Sequence, residues 1–116
     1  EKLTFLINGI CFEAHNQLGR FAREKQYGDY IQKRLQEENL NFTRESEIGD
    51  SGNVLDFIID NKIVLELKAK TFLTKADYYQ VQRYLHITNF KLGILVNFRD
   101  ERLKPRRIIK VKPRIQ

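Results

Sequence analysis

Residues 54–69 read VLDFIIDNKIVLELKA, and they are expected to form the centre of the fold. Two apolar runs of strand length, 54–59 and 62–69, are separated only by Asp60 and Asn61. A connection this short, made of turn-forming residues, predicts an antiparallel hairpin. Each run also carries charged residues among its apolar ones, so the hairpin is the first place to look for function.

The charged residues of the hairpin are predicted to share one face. Side chains alternate across a strand, which places Glu66 and Lys68 together on the second run. On the first run Asp56 is predicted to lie opposite an apolar face made of Leu55, Phe57 and Ile59. Pairing of the two strands would then gather Asp56, Glu66 and Lys68 on the same face.

Three ionisable groups on central strands predict either a cation site or an open surface. Their burial costs desolvation free energy unless they pair or bind a cation. The Asp56 and Glu66 carboxylates suit a hard cation such as Mg²⁺ or Mn²⁺. Lys68 could then hold a water beside the metal and neutralise charge on a phosphate. Alternatively the face is open to water and Glu66 and Lys68 form an ordinary solvated pair.

On both sides of the hairpin, the spacing of the apolar residues changes several times between helical and strand-like. Helical periodicity predicts helices at 3–18, 24–38 and 75–88. Strand-like runs are predicted at 40–48, 91–98 and 106–112. The order α-α-β-β-β-α-β-β predicts an α/β fold, with a mixed central sheet flanked by helices. The 116 residues are enough for one domain, spanning 1–116.

The predicted helices offer further polar candidates. Gln80 lies one turn before Tyr84 in the third helix, where it could hydrogen-bond a water or a phosphate oxygen, and Gln82 is the competing choice. Glu13 lies on the flank of the first helix and could complete a metal site or orient Lys68. Ordinary exposure to solvent is the alternative for each of them.

The net charge of +6 is concentrated at one end of the chain. Residues 1–101 hold 14 basic and 15 acidic residues, whereas 102–116 hold seven basic residues and no acidic one. Such a basic segment predicts a polyanion partner, most often nucleic acid, although a solvated tail would have the same composition. The predicted nucleic-acid contacts are Arg102, Lys104, Arg106, Arg107, Lys110 and Lys112.

Composition excludes several classes of protein. A single cysteine, Cys11, excludes an internal disulfide and a multi-cysteine zinc site. No apolar stretch approaches the ~20 residues of a membrane helix, so we expect no membrane association. These features fit a reducing, cytoplasmic setting. Because the chain has no methionine, we also expect its natural start to lie before Glu1.

Six segments, taken in order, carry a resemblance that extends from about Leu3 to Val111. They are 12–19 (FEAHNQLG), 21–27 (FAREKQY), 55–56 (LD), 64–69 (VLELKA), 80–85 (QVQRYL) and 91–98 (KLGILVNF). Together they resemble the GxxExxY family of the PD-(D/E)xK nuclease superfamily. The chain departs from the family at turns: Phe21 stands at the glycine of the naming motif, Arg20 at a usual proline, and Arg99 at a usual glycine.

The resemblance implies a restriction-endonuclease-like fold and metal-dependent hydrolysis of phosphodiester bonds, in DNA rather than RNA. The implied catalytic residues are Asp56, Glu66, Lys68, Gln80 and Glu13. The implied ligands of Mg²⁺ or Mn²⁺ are Asp56, Glu66, Glu13 and the backbone carbonyl of Leu67. Lys68 would position the attacking water. The motif also contains three residues whose roles do not follow from it: His15, Glu24 and Tyr27.

Two other functions remain open from the sequence. The same fold could serve as a catalytically inactive module that binds nucleic acid or protein. The joint presence of Asp56, Glu66 and Lys68 favours an enzyme, since a decayed site would be expected to lose at least one of them. A homodimer is a further expectation, because one site cuts one strand.

Overall fold

The computed structural model describes residues 2–48 and 53–112. Within these ranges, three helices and five strands follow in the predicted order, so the predicted fold class is confirmed. The helices are α1 (Lys2–Leu18), α2 (Glu24–Glu37) and α3 (Lys75–Thr88), and the strands are β1 (Phe42–Ile48), β2 (Asn53–Ile59), β3 (Ile63–Lys68), β4 (Leu92–Asn97) and β5 (Arg106–Ile109). Within the described ranges, no helix combines the length and apolarity needed to cross a membrane.

The five strands form one mixed sheet in the order β1-β2-β3-β4-β5. Neighbours pair antiparallel except β3 and β4, which are parallel and connected through α3. The predicted hairpin is present, with Phe57 opposite Leu65 and Ile59 opposite Ile63. Because β3 and β4 run parallel, their carboxyl ends meet at the same edge of the sheet, and the loops that follow both strands leave from that edge.

The sheet is the middle layer between helices on its two faces. On one face α1 and α2 bury a large apolar cluster that includes Ile10, Tyr27 and Leu65. On the other face α3 packs Val81, Tyr84 and Leu85 against the strands. Burial on both faces explains why β3 and β4 are almost continuously apolar rather than alternating.

One predicted face is wrong, because the alternation of β2 is interrupted at Asp56. Phe57 and Ile59 pack in the cluster beneath α1 and α2, as predicted. Leu55, two residues before Phe57, packs instead against α3 in the other cluster. On the facing strand β1, Glu45 has a left-handed φ of 56°, which marks an irregularity in this region of the sheet. The strand therefore changes face where its aspartate stands.

Gly93 allows α3 to approach β4 closely. A Cβ atom at this position would lie 2.6 Å from Cγ1 of Val81, which is buried between helix and sheet. We expect Gly93→Ala to lower the free energy of unfolding by roughly 1–3 kcal/mol through overpacking. Urea denaturation measures this change. A Cβ atom on Gly9, in α1, would meet no atom within 4 Å, so Gly9→Ala should instead stabilise the fold by up to about 1 kcal/mol. If both substitutions changed the free energy of unfolding in the same direction, this description of the packing would be wrong.

Candidate active site

The candidate site is built where the β2–β3 ladder ends. The last backbone pair on this side is Phe57 with Leu65. Beyond this pair, side-chain carboxylates accept the backbone N–H groups of the two strands. The Asp56 N–H donates to Glu66 Oε1 (2.9 Å), and the Leu67 N–H donates to Asp56 Oδ2 (2.8 Å). The two acids are thereby brought together, each fixed by the backbone of the opposite strand.

Burial makes this carboxylate pair electrostatically costly. The exposed fraction of Glu66 is only 3%, and burial, followed by the charge of Asp56, raises the pKa of Glu66 to about 8. Burial likewise raises the pKa of Asp56, although the N–H of Leu67 and then Glu66 and Lys68 act in the opposite direction. A buried acid and a half-buried acid that resist joint ionisation are the arrangement that a bound cation stabilises.

The donor set fits a hard divalent cation. In each carboxylate one oxygen accepts a hydrogen bond from a backbone N–H, so the second oxygen is available to bind a metal. Oxygen ligands suit Mg²⁺ or Mn²⁺. Among the residues that the structure describes, no group of three His, Cys, Asp or Glu side chains converges as a metal-binding cluster. The side-chain ligands at hand are therefore the pair Asp56 and Glu66, to which water and substrate oxygens could be added.

Lys68 extends from the same strand into this region. Its Nζ donates to Gln80 Oε1 of α3 at 2.9 Å and lies 3.8 Å from Glu66 Oε2. The structure thus brings Gln80, rather than Gln82, to the site. Gln82 faces the edge of the sheet, where it bonds the backbone of Ile109.

Lys70 and the buried Asp77 extend the polar cluster around Lys68. Neither residue was predicted from the sequence. Asp77 accepts hydrogen bonds from the Thr74 N–H (2.7 Å) and Lys70 Nζ (2.9 Å) through Oδ2, while Oδ1 lies 3.9 Å from Lys68 Nζ. Thr74-x-x-Asp77 is a capping-box pattern, which could have located the start of α3 and this carboxylate. Asn97 then fastens Lys70 by two hydrogen bonds to its backbone.

Glu24, whose role the sequence left unassigned, belongs to the surroundings of the site. It is the first residue of α2. Its pKa is raised by burial first and then by the charge of Asp56, whereas Lys68 and Lys70 act to lower it. These couplings place the Glu24 carboxylate within electrostatic reach of Asp56 and of both lysines.

Glu13, expected beside the metal, is held elsewhere. Its Oε2 accepts a hydrogen bond from Arg34 Nε of α2 at 2.8 Å, and the carboxylate is about half exposed. Arg34 also pairs with Glu37 and Glu38 at the end of α2. Glu13 therefore takes part in a surface ion-pair network between α1 and α2, and the structure does not bring it together with Asp56 and Glu66.

Tyr27 and His15, the other motif residues, fix the turns around the site. The Tyr27 hydroxyl donates to the Gly19 carbonyl and accepts from the Ala22 N–H, while its ring stacks on Phe98 with centroids 4.0 Å apart. His15 Nε2 hydrogen-bonds the Asp100 carbonyl oxygen at 2.8 Å. These contacts hold the α1–α2 turn against the loop that follows β4, and so they position Glu24.

The basic segment is divided by the register of β5. Arg106 pairs with Leu95, which pairs with Glu66 on the next strand, so Arg106 lies two strands, or about 10 Å, from the site. Arg102 and Lys104 are exposed in the loop from β4 to β5, at the same edge of the sheet. Lys110 lies at the opposite end, where its N–H bonds the Lys91 carbonyl. Arg107 and Lys112 are exposed, but the antiparallel course of β5 carries them away from the site edge.

Comparison with known proteins gives the chain its family. The family model of the PD-(D/E)XK nuclease superfamily matches residues 1–110. Among solved structures, the crystal structure of SSO0001 is similar with a TM-score of 0.52 at 24% identity, covering 89% of this chain and 63% of that one. This likeness shows the fold alone, and the chain spans less than two thirds of that structure. No curated protein matches the sequence. The chain belongs to the PD-(D/E)XK nuclease superfamily.

Proposed function

We propose that the protein is a divalent-metal-dependent nuclease that hydrolyses phosphodiester bonds of DNA. The observation that carries this proposal is the reciprocal fixing of Asp56 and Glu66 at the end of the β2–β3 ladder. A buried carboxylate and a half-buried one beside a lysine bring no structural benefit, since their burial costs desolvation free energy. Membership of a nuclease superfamily supports a catalytic purpose for it.

The metal would be held by Asp56 and Glu66, together with the backbone carbonyl of Leu67. The Leu67 N–H already points toward Asp56; in a strand, the N–H and C=O of one residue point to the same side, so this carbonyl faces the opening between β2 and β3. A bound Mg²⁺ or Mn²⁺ would supply Lewis acidity toward a phosphate oxygen and a water. The protein's own contribution is to fix the ligands before substrate arrives.

Lys68 is proposed to position the attacking water and to stabilise the charge that develops on the phosphate. Gln80 accepts a hydrogen bond from one of the three N–H groups of the Lys68 ammonium. The Glu66 and Asp77 carboxylates lie 3.8 and 3.9 Å from the same ammonium. This environment keeps the ammonium at the mouth of the site, with donors left for water and phosphate oxygen. Gln80 therefore acts as a positioning residue for Lys68.

We propose Glu24, in place of Glu13, as the acidic group that the first two helices contribute beside Asp56 and Glu66. Its charge couples to Asp56, Lys68 and Lys70, whereas Glu13 is engaged by Arg34. Glu24 would act through water or by orienting the lysines. Together with Tyr27, which fixes the turn before it, Glu24 supports assignment to the GxxExxY family.

We further propose that the protein forms a homodimer and that it works in a reducing compartment. A homodimer would let two sites cut both strands of a duplex, and light scattering tests it. The Cys11 thiol is buried, which raises its pKa to about 12 and leaves it unsuited to nucleophilic chemistry. We propose a reducing, cytoplasmic setting, in which a free thiol is common.

A cleavage assay tests the proposed function. Linear, nicked, branched and single-stranded DNA, and RNA of the same sequence, are incubated with the protein in Mg²⁺, Mn²⁺ or EDTA. We expect DNA cleavage that needs the metal and falls at least 100-fold in Lys68→Ala, because a positioned cation at the phosphate is lost. Lys62→Ala is the matched control: this exposed lysine precedes β3, at the other end of the strand, and its loss should leave the rate within about twofold.

Two results would contradict the proposal. One is the absence of cleavage of every substrate with either metal while nucleic acid is still bound, which would indicate a binding module. The other is equal cleavage by wild type and Lys68→Ala, which would place the activity elsewhere or in a contaminant.

A further inference from the structure

An exposed aromatic ring flanked by two arginines lies in the α1–α2 turn. Phe21 is 74% exposed. The guanidinium carbon of Arg20 is 4.9 Å from the centroid of its ring, and that of Arg99 is 5.4 Å away. An exposed phenylalanine has no benefit for the core, and most of this ring stays accessible although two cations contact it.

The two arginines are held in place by each other's backbone. Arg20 Nε donates to the Arg99 carbonyl at 2.9 Å, and Arg99 Nε donates to the Arg20 carbonyl at 3.1 Å. Each guanidinium has five N–H donors, so most of them stay available for a ligand. The ring and both cations are thus ordered before any ligand binds, which lowers the entropic cost of binding.

This group, Arg20, Phe21 and Arg99, adjoins the candidate active site. Glu24, three residues beyond Phe21, is coupled to the charges of Asp56 and Lys68. On the other side, Arg99 Nη2 lies 3.5 Å from the carbonyl oxygen of Ala69, the residue directly after Lys68. The platform therefore borders the carboxyl end of β3, the end of the strand that carries Lys68.

We propose that Phe21, with Arg20 and Arg99, is a stacking platform for an unpaired nucleobase next to the scissile phosphate. The inference rests on the proposed function in one respect, namely that the phosphate is bound beside Asp56 and Glu66. A nucleobase stacks on an aromatic ring and on a guanidinium plane, and arginines also neutralise the flanking phosphates. All three interactions are offered here by neighbouring side chains.

The platform would direct the enzyme to single-stranded or frayed segments. In an intact duplex both faces of each base are already stacked on neighbours, so no base is available to Phe21 without loss of that stacking. An unpaired base at an end, fork or flap has a face to offer. The substrate class that follows is DNA with an unpaired nucleotide at the cut.

Binding without cleavage tests this inference. Fluorescence anisotropy is measured on a labelled single-stranded 12-mer and on its blunt duplex, in EDTA and on an Asp56→Asn background. We expect Phe21→Ala to weaken single-strand binding roughly 5- to 100-fold, the effect of losing one stacked base, and duplex binding less than twofold. Phe21→Trp should restore single-strand binding. Phe5→Ala is the matched control, since Phe5 is 82% exposed and lies ~20 Å away along α1.

Two results would overturn the platform. Phe21→Ala could bind the single strand as tightly as its parent, or it could lose single strand and duplex equally. Because the assay contains no metal and needs no turnover, it is independent of the cleavage assay. If Lys68→Ala loses cleavage but Phe21→Ala leaves single-strand binding unchanged, the proposed nuclease stands and the platform is rejected. If Lys68→Ala cleaves like the wild type but Phe21→Ala weakens single-strand binding, the platform stands and the proposed nuclease site is rejected.

Discussion

Asp56→Asn is expected to reduce the rate of DNA cleavage by about 10³-fold or more. The substitution keeps the shape of the side chain and an oxygen that can still accept the Leu67 N–H, which Asp56 Oδ2 accepts at 2.8 Å. It removes one of the two carboxylate charges that would hold the metal. A bound metal contributes several kcal/mol to the stabilisation of the transition state, and each 1.4 kcal/mol is a tenfold change in rate.

Asp60→Asn is the matched control for this substitution. Asp60 follows the same strand and carries the same group, but it lies in the hairpin turn, 3.6 Å from Lys62 and about half exposed. Single-turnover cleavage in Mg²⁺ should distinguish the two variants, with Asp60→Asn near the wild-type rate. Comparable rates for Asp56→Asn and wild type would show that the carboxylate pair is not the catalytic centre.

Glu66→Gln is expected to abolish cleavage and, in the absence of metal, to stabilise the fold. The amide oxygen can still accept the Asp56 N–H, which Glu66 Oε1 accepts at 2.9 Å. The substitution replaces a carboxyl group that is only 3% exposed, and whose ionisation in the folded state is opposed by burial and by a second acid. Function and stability therefore make opposite demands at this position, as is common in active sites.

The stabilisation by Glu66→Gln should depend on pH in a defined direction. Burial and Asp56 raise the pKa of Glu66 from its ordinary 4.5 to about 8, so the folded state binds a proton that the unfolded state has lost. Wild-type stability therefore falls as the pH rises from about 4.5 through about 8. Glutamine does not titrate, so the advantage of the variant should be near zero below pH 4.5 and reach a few kcal/mol, on the order of 2–4, at pH 8.

Urea denaturation in EDTA at pH 4.5 and pH 8 measures this difference. Adding Mg²⁺ at pH 8 should reduce it, because the cation stabilises only the wild-type pair. Glu13→Gln serves as the comparison, since Glu13 is paired with Arg34 at the surface and its loss should destabilise slightly at pH 8. An advantage of Glu66→Gln that is the same at both pH values would be inconsistent with a protonated Glu66 in the folded state.

The sequence was sufficient to predict the order of the elements but not the path of β2. Apolar runs and turn residues determine where the hairpin lies, and its register follows from pairing. The change of face between Leu55 and Phe57 could not be read from alternation, because an irregular strand has the same composition as a regular one. The irregularity is seen only in the packing, where Leu55 lies in the cluster beneath α3 and Phe57 in the cluster beneath α1 and α2.

The sequence was sufficient to predict that Asp56, Glu66 and Lys68 lie together, because pairing of neighbouring strands restricts where their side chains can be. The helix that follows β3 has little freedom either, which brings Gln80 to the same region. Glu13 was misplaced for the converse reason. Helical spacing gives its angle around α1 but not which helix packs on that side, and Arg34 of α2 lies there. The motif contains Glu24 and Tyr27, but the position of Glu24 depends on a turn held by contacts of Tyr27, which the motif does not specify.

Binding of Mn²⁺ tests whether Asp56 and Glu66 form a divalent-metal site. Isothermal titration calorimetry at pH 8, at the raised pKa of Glu66, is carried out on wild type, Asp56→Asn and Asp60→Asn. We predict that wild type and Asp60→Asn bind Mn²⁺ with the same affinity and that Asp56→Asn weakens binding by at least tenfold, because one of two charged ligands is lost. Equal affinity in Asp56→Asn, or no binding by the wild type, would contradict the assignment of this pair as the metal centre.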